Sequence, residues 1–204
     1  MINRSFFFEN VKAHLFNGKL NVKQSAGLTH ILDVWEAKYS KKDDRWLAYA
    51  LGTAHHEVDR TMQPIHEYGG KSYFMKRYDI TGANPKLAEK LGNTEVGDGA
   101  LFHGRGFVQL TGRTNYRKMQ KFLDVDLTSS ESAANRVLDL KNASAIMFKG
   151  MMDGDFTGKK FSDYFSQIKD DWINARRIIN GKDKANIIAD YAKRYYSAIS
   201  YTTA

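Results

Sequence analysis

Apolar side chains recur three and four positions apart along most of the chain, the spacing of helices with one buried face. Residues 5–16 place Phe8, Val11 and Leu15 on one stripe, and Gly18 follows where a glycine past a helix end belongs. Asn21-Val-Lys-Gln24 has the form of a capping box. It opens a second helix that carries Leu28, Ile31, Leu32 and Trp35 and runs to about Tyr39. After the polar turn 40–44, Asp43 or Asp44 can cap a third helix from Arg45 to about Val58. Trp46, Leu47, Ala50, Leu51 and Ala54 mark one face of it, while Ala48 and Gly52 leave little bulk elsewhere, so it reads as a central helix buried nearly all round. Its end, His55-His56-Glu57, sets a polar cluster on an apolar rod, a local conflict of the sort found at functional sites.

Regular periodicity fades from 59 to 112, where glycine is dense. Asn84-Pro85 and Gly92 bracket one short helix. Segments near 73–78 and 107–110 read as short strands. A stretch this long with so little regular structure is usually functional in a compact chain. Helical spacing returns near 114–123, 130–137, 142–152, 160–167, 171–179 and 183–199. No internal repeat, low-complexity segment or linker is visible. The expectation is a single domain over 1–204, mostly α with a small β element in its middle; the resemblance described below makes it a catalytic domain with no separate wall-binding domain.

Composition narrows the classes. The 204 residues contain no cysteine, which removes disulfide frameworks, thiolate nucleophiles and Cys-ligated metal sites. Twelve Phe, 11 Tyr and 3 Trp are too many for a disordered chain. With 31 Lys+Arg against 23 Asp+Glu the formal charge is +8, which suits nucleic acid, an anionic membrane surface or an acidic wall polymer, or serves solubility alone. No apolar run approaches the ~20 residues that span a bilayer. The N-terminus leads into only Phe6-Phe7-Phe8 before Glu9, unlike a secretory leader. Synthesis and folding in a cytoplasm is the expectation, with release by some other agent if the protein acts outside; the resemblance described below makes that a bacterial cytoplasm and the release one to the periplasm and wall.

Candidate chemistry gathers around two carboxyls. Glu57 ends the apolar helix, where burial would raise its pKa as general-acid work requires, although a glutamate at a helix end more often faces water. Glu67 lies ten residues on, after Pro64 and before Gly69-Gly70, and a loop can turn it back toward Glu57. Two carboxylates flanking a bond are the minimum apparatus of glycoside hydrolysis, ~6.5–9.5 Å apart for inversion. His55, His56, His66 and His103 could suggest metal, but Arg60 stands where H-E-x-x-H needs its second histidine, so no metal and no cofactor is expected. His56 instead reads as a local hydrogen-bonding residue that orients the acid. The string Gly104-Arg-Gly-Phe-Val-Gln-Leu-Thr-Gly112 is neither a dinucleotide fingerprint nor a P-loop. Its glycines let backbone approach a ligand closely, and Gln109, Thr111, Asn115 and Tyr116 supply the amides and hydroxyls that sugars need; a plain glycine-rich hairpin is the alternative. Asn180-Gly181 reads either as a ligand amide or as an ordinary helix stop.

Together these strings resemble glycoside hydrolase family 19, the chitinase-like family, in its bacteriophage and prophage endolysin branch. The resemblance rests on Phe6–Gly27, on Ala48–Gly69 with its Thr61-Met-Gln-Pro-Ile65, on the long block Asp79–Tyr116 and on the Asn-Gly near 180. It implies a lysozyme-like fold of two mostly helical lobes around a substrate groove, and an inverting mechanism. Glu57 falls at the family's general acid, Glu67 at its general base and Thr111 at the hydroxyl that helps hold the attacking water. Gln109, Asn115 and Asn180 fall at sugar-binding positions. His56, Arg105 and Tyr116 are further candidates for substrate contact. The disulfides and the longer separation of the two acids in the family's plant chitinases are missing, and an arginine that some members carry in the last helix is replaced by Ile188 or a neighbour; should Glu67 not be the base, Asp59 is next.

The reading is an endolysin of muramidase type that cuts the β-1,4 bond between N-acetylmuramic acid and N-acetylglucosamine. Its partners would be peptidoglycan strands and the anionic cell envelope, with no nucleic acid, and a monomer is expected. A chitinase acting on poly-N-acetylglucosamine and a non-catalytic wall-binding protein are the alternatives.

Overall fold

A computed structural model of the chain describes residues 1–202. Its order is α1 (Arg4–Leu15), α2 (Val22–Tyr39), α3 (Asp44–Glu57), β1 (Ile65–His66), α4 (Lys71–Tyr78), α5 (Pro85–Lys90), α6 (Asp98–Leu101), β2 (Arg105–Gly106), α7 (Arg113–Leu123), α8 (Glu131–Asn135), α9 (Leu140–Asp153), β3 (Phe165–Ser166), β4 (Lys169–Asp170) and α10 (Ala185–Ala198). This is a mostly helical α+β fold, consistent with the lysozyme-like class. The chain forms two compact units, one of Met1–Gln63 with the chain from Met147 on, the other of Pro64–Ile146. No helix among the described residues is long and apolar enough to cross a membrane.

The first unit is organised on α3. Asp43 caps it by accepting from the Arg45 amide, and its residues Leu47 to His55 are buried without interruption. Such a helix needs a neighbour on every side, and α10 lies closest. Gly52 makes that approach possible: a Cβ there would sit 2.7–2.9 Å from the N, Cα and Cβ of Ala192. Ile188, Ala189, Ala192 and Tyr195 form the facing stripe of α10. Helix α1 closes over α10 with Phe7 stacked on Tyr195 at 6.2 Å. Helix α2 starts with the expected capping box at Asn21 and Gln24 and buries Leu28, Ile31, Leu32 and Trp35, with Trp35 against Phe148 at 5.7 Å.

In the second unit β1 pairs antiparallel with β2, Ile65 opposite Gly106 and His66 opposite Arg105. Asp79, fully buried, ties the irregular 79–99 segment together. Its carboxylate accepts from the Gly97 and Gly99 amides and from the Thr81 amide and hydroxyl. Burial alone would raise this carboxyl, but hydrogen bonds from Gly99, Thr81 and Gly97 outweigh it and hold it below the usual range.

Four local expectations are corrected. Residues 73–78 belong to helix α4, not to a strand, because Phe74 and Tyr78 are buried four apart while Tyr73, Lys76 and Arg77 are exposed. Residues 107–110 form a tight reversal rather than a strand. Arg105 and Leu110 exchange backbone hydrogen bonds across it at 2.8 and 3.2 Å, and Gln109 takes a positive φ of 52°. The stretch 160–167 holds only a 3-10 turn, Phe161–Asp163, followed by the β3–β4 hairpin, and 171–179 holds the 3-10 segment Asn174–Ile178. Aromatic packing of Phe161 on Trp46 and of Phe165 on Tyr49 and Trp172 takes precedence over helical spacing there.

Candidate active site

Glu57 is the last residue of α3, half-buried, and does not stand alone. Arg176, 4% exposed, donates from its guanidinium to Glu57 Oε1 at 2.6 Å, while its Nε donates to the Asp183 carbonyl. The two-point grip fixes the guanidinium and so the carboxyl. Arg176 lies outside the last helix. It comes from the 3-10 segment Asn174–Ile178, and Ile188 is ordinary buried core of α10. His56, expected to orient the acid, makes no hydrogen bond to Glu57. Burial lowers its imidazole from the usual value, with Glu57 pulling the other way. Its neighbour His55 is wholly buried, with Nδ1 3.0 Å from the Tyr195 hydroxyl and with the rings of Phe16 and Tyr191 against it.

After Glu57 the backbone turns sharply: Asp59, Arg60 and Met62 all have positive φ. Asp59, the alternative base, is exposed there. Glu67, by contrast, is held on both carboxyl oxygens. The Tyr78 hydroxyl donates to Oε1 at 2.8 Å and the Gly104 amide to Oε2 at 3.3 Å, while Glu67's own amide donates to the Gly104 carbonyl. Burial and the facing carboxylate both raise the Tyr78 hydroxyl, so it remains a donor. Gly104 is small for a reason. A Cβ there would lie 3.0 Å from Glu67 Oε2 and 2.9 Å from Gln109 Oε1, so a side chain would part the two.

Glu67, Gly104 and Gln109 are thus brought together in the second unit. Gln109 donates to the Gly106 carbonyl at 3.1 Å, Thr111 to the Gln109 carbonyl at 2.8 Å and Asn115 to the Thr111 carbonyl at 2.8 Å, a ladder of local bonds along one segment. All three side chains are half-buried. Arg105 and Tyr116 are different. Both are fully buried and face each other at 2.9 Å, with Arg105 also bound to the Leu101 carbonyl and Asn135, and Tyr116 donating to the His103 carbonyl. As placed, their polar groups are engaged with one another and with the backbone around Gly104. Asn180 lies in the first unit, exposed, with its side-chain oxygen accepting from the Gly181 amide, as in a turn. Among the described residues no group of three or more His, Cys, Asp or Glu side chains is arranged to hold a metal ion.

Sequence reasoning missed Arg176 and Tyr78. Arg176 sits in a basic helix-end pattern that has an ordinary explanation, and Tyr78 was assigned to a strand; only the helical register of α4 aims it at Glu67.

Fold and site together define a mostly helical α+β protein with two separately buttressed carboxyls, one on an arginine and one on a tyrosine and a backbone amide. No family model matches the chain. A protein of Haemophilus influenzae named glycosyl hydrolase family 19 domain-containing protein is 40% identical over 63 residues, which is 30% of this chain and 32% of that protein. The chain therefore matches about a third of that relative's length, and the likeness reaches as far as the glycoside hydrolase family 19 name.

Proposed function

We propose that this protein is a glycoside hydrolase of the wall-degrading kind, a muramidase-type endolysin that cleaves the β-1,4 bond between N-acetylmuramic acid and N-acetylglucosamine by inversion. Glu57 is the general acid that protonates the leaving oxygen. Glu67 is the general base that takes the proton of the attacking water, with Thr111 helping to hold that water. Gln109, Asn115 and Asn180 contact the sugars, both units serve one catalytic domain, and the +8 charge favours approach to an anionic envelope. The observation that carries the reading is that two carboxyls ten residues apart are each fixed in orientation by dedicated donors, Arg176 for one and Tyr78 with the Gly104 amide for the other. The partial family 19 likeness supports the reaction class.

The test is mass spectrometry of fragments released from purified peptidoglycan, with chitin oligomers in parallel. Fragments ending in reducing N-acetylmuramic acid are expected, with proton NMR of the fresh products showing the α anomer, and Glu57→Gln should release about a thousandfold less, the scale of a lost general acid together with its positioning. Cleavage of chitin alone would make the enzyme a chitinase, and near-wild-type lysis by folded Glu57→Gln would overturn the assignment.

A further inference from the structure

A cavity of about 400 Å³ opens beside Glu67, wholly within the second unit. Its lining includes His66, Lys71, Phe74, His103 and Glu131. The rings of Phe74, His103 and His66 form a stack, Phe74 on His103 at 4.1 Å and nearly parallel, His103 on His66 at 5.3 Å. Hydrogen bonding sets the polarity of this stack. The Ala100 carbonyl can only accept, so His103 Nδ1 donates to it at 2.6 Å. Burial lowers His103 to about 4 and also lowers His66, so both rings are neutral at pH 7. His103 Nε2 is then the acceptor of a hydrogen bond from His66 Nδ1 at 3.0 Å, and His66 Nε2 presents a lone pair.

The cavity therefore offers an N–H acceptor on His66, an ammonium on Lys71, a carboxylate on Glu131 and an aromatic wall. Lys71 and Glu131 are exposed, and neither has an ion-pair partner among the described residues. A neutral sugar entering here would displace water from two formal charges of opposite sign and return only hydroxyls and acetamides, an unfavourable exchange. A ligand that carries both a carboxylate and amino groups satisfies both walls. Among wall glycans and chitin, only peptidoglycan bears such groups, on the short peptides attached to its muramic acid.

Resting on the glycosidase reading above, we infer that this cavity receives the peptide stem of peptidoglycan, with Lys71 meeting a stem carboxylate and Glu131 with His66 Nε2 meeting its amino and amide N–H groups. The stem then sets substrate choice beside the base.

The experiment compares kcat/KM on glycan strands carrying their stems with kcat/KM on the same strands after the stems have been removed by an amidase. It uses the full chain and the variants Lys71→Met and Glu131→Gln, with circular dichroism as a check of fold. The wild-type protein should prefer stem-bearing strands at least about fivefold, and each variant should bring that ratio down by a factor of roughly three to five, the worth of a partly exposed ion pair. Equal rates on the two substrates, or a preference unchanged in both variants, overturns the inference and leaves the glycosidase reading standing. No cleavage of either substrate overturns both.

Discussion

His55→Gln removes a titrating group from the middle of the first unit, and the consequence can be worked out before it is measured. The imidazole is wholly buried, with Tyr195, Tyr191 and Phe16 around it, and its Nε2 has no hydrogen-bond partner. Burial first, then the charges of Arg60 and His56, lowers it to about 4. An unfolded histidine titrates near ~6.5. Since the folded value is the lower one, protonation favours the unfolded chain. The contribution of neutral His55 is complete above ~6.5 and is lost as pH falls toward 4. The gap of ~2.5 units at ~1.36 kcal/mol each is about 3.4 kcal/mol in the acid limit, and about 2 kcal/mol is already gone at pH 5.

Urea unfolding of wild type and His55→Gln at pH 7.0, 6.0 and 5.0 isolates this term. Whatever glutamine costs at neutral pH cancels when the difference between the two proteins is followed with pH, as do carboxylates and the other lowered histidines, His56, His66 and His103, which both proteins share. The glutamine amide can still bond the Tyr195 hydroxyl. The stability difference should move by about 2 kcal/mol in favour of the variant between pH 7 and pH 5. A difference constant within experimental error would refute the reasoning, because it would mean that the ring binds its proton equally well in both states.

The site yields further expectations. Arg176→Ala leaves Glu57 without its partner and should cost about 3 kcal/mol in urea unfolding, the lower part of the range for a buried pair that loses one member, because Glu57 is itself partly exposed. The joint replacement Glu57→Gln with Arg176→Met should cost less than Arg176→Ala alone, and a larger loss would contradict the pairing argument. Tyr78→Phe deletes one hydrogen bond to a carboxylate, worth ~1.5 kcal/mol, so kcat on peptidoglycan should fall about tenfold with KM little changed; a change confined to KM would remove Tyr78 from the support of Glu67. Gly52→Ala drives a methyl into the Ala192 backbone and should lower stability by about 1–3 kcal/mol by thermal unfolding. A variant as stable as wild type would mean that α3 and α10 part freely.

The helices of the first unit were legible in the sequence because their signals are local. Asn21 with Gln24, the Asp43 cap and the 3.6-residue stripe of α3 each act within one turn of chain, and each forms as expected. The small elements were not legible, because contacts distant in sequence decide them. Phe161, Phe165 and Trp172 are spaced like a helix, yet they fold as a turn and hairpin against Trp46 and Tyr49. Tyr73–Tyr78 has the aromatic content of a strand, and its helical register shows only once Phe74 and Tyr78 have something to pack on. In the site, the motifs single out the glycine-rich block and both carboxyls as candidates, but they do not reveal the donors Arg176 and Tyr78, which come from other elements. The burial of Arg105 on the Tyr116 hydroxyl was not legible, since a buried guanidinium and an exposed one look alike in sequence.

The C-terminal half of α3 explains how a carboxyl can be positioned by a helix that otherwise only packs. Gly52, His55 and Glu57 each refer to the same stretch of later chain. Gly52 lets the α10 backbone in at Ala192, His55 meets Tyr195 one turn further along α10, and Glu57 takes Arg176 from the segment just before α10. Close packing gives the helix no freedom to rotate, because a turn of α3 that moved Glu57 would press a side chain into Ala192 and break the buried bond at His55. Arg176 is anchored in turn by the Asp183 carbonyl, two residues before α10 begins, so guanidinium and helix share one reference. The direction of the Glu57 carboxyl is therefore a property of the α3–α10 pair. That places the cost of holding an acid at a helix end in apolar packing, where α3 is buried from Leu47 to His55, and leaves the end of the helix free to present a charge.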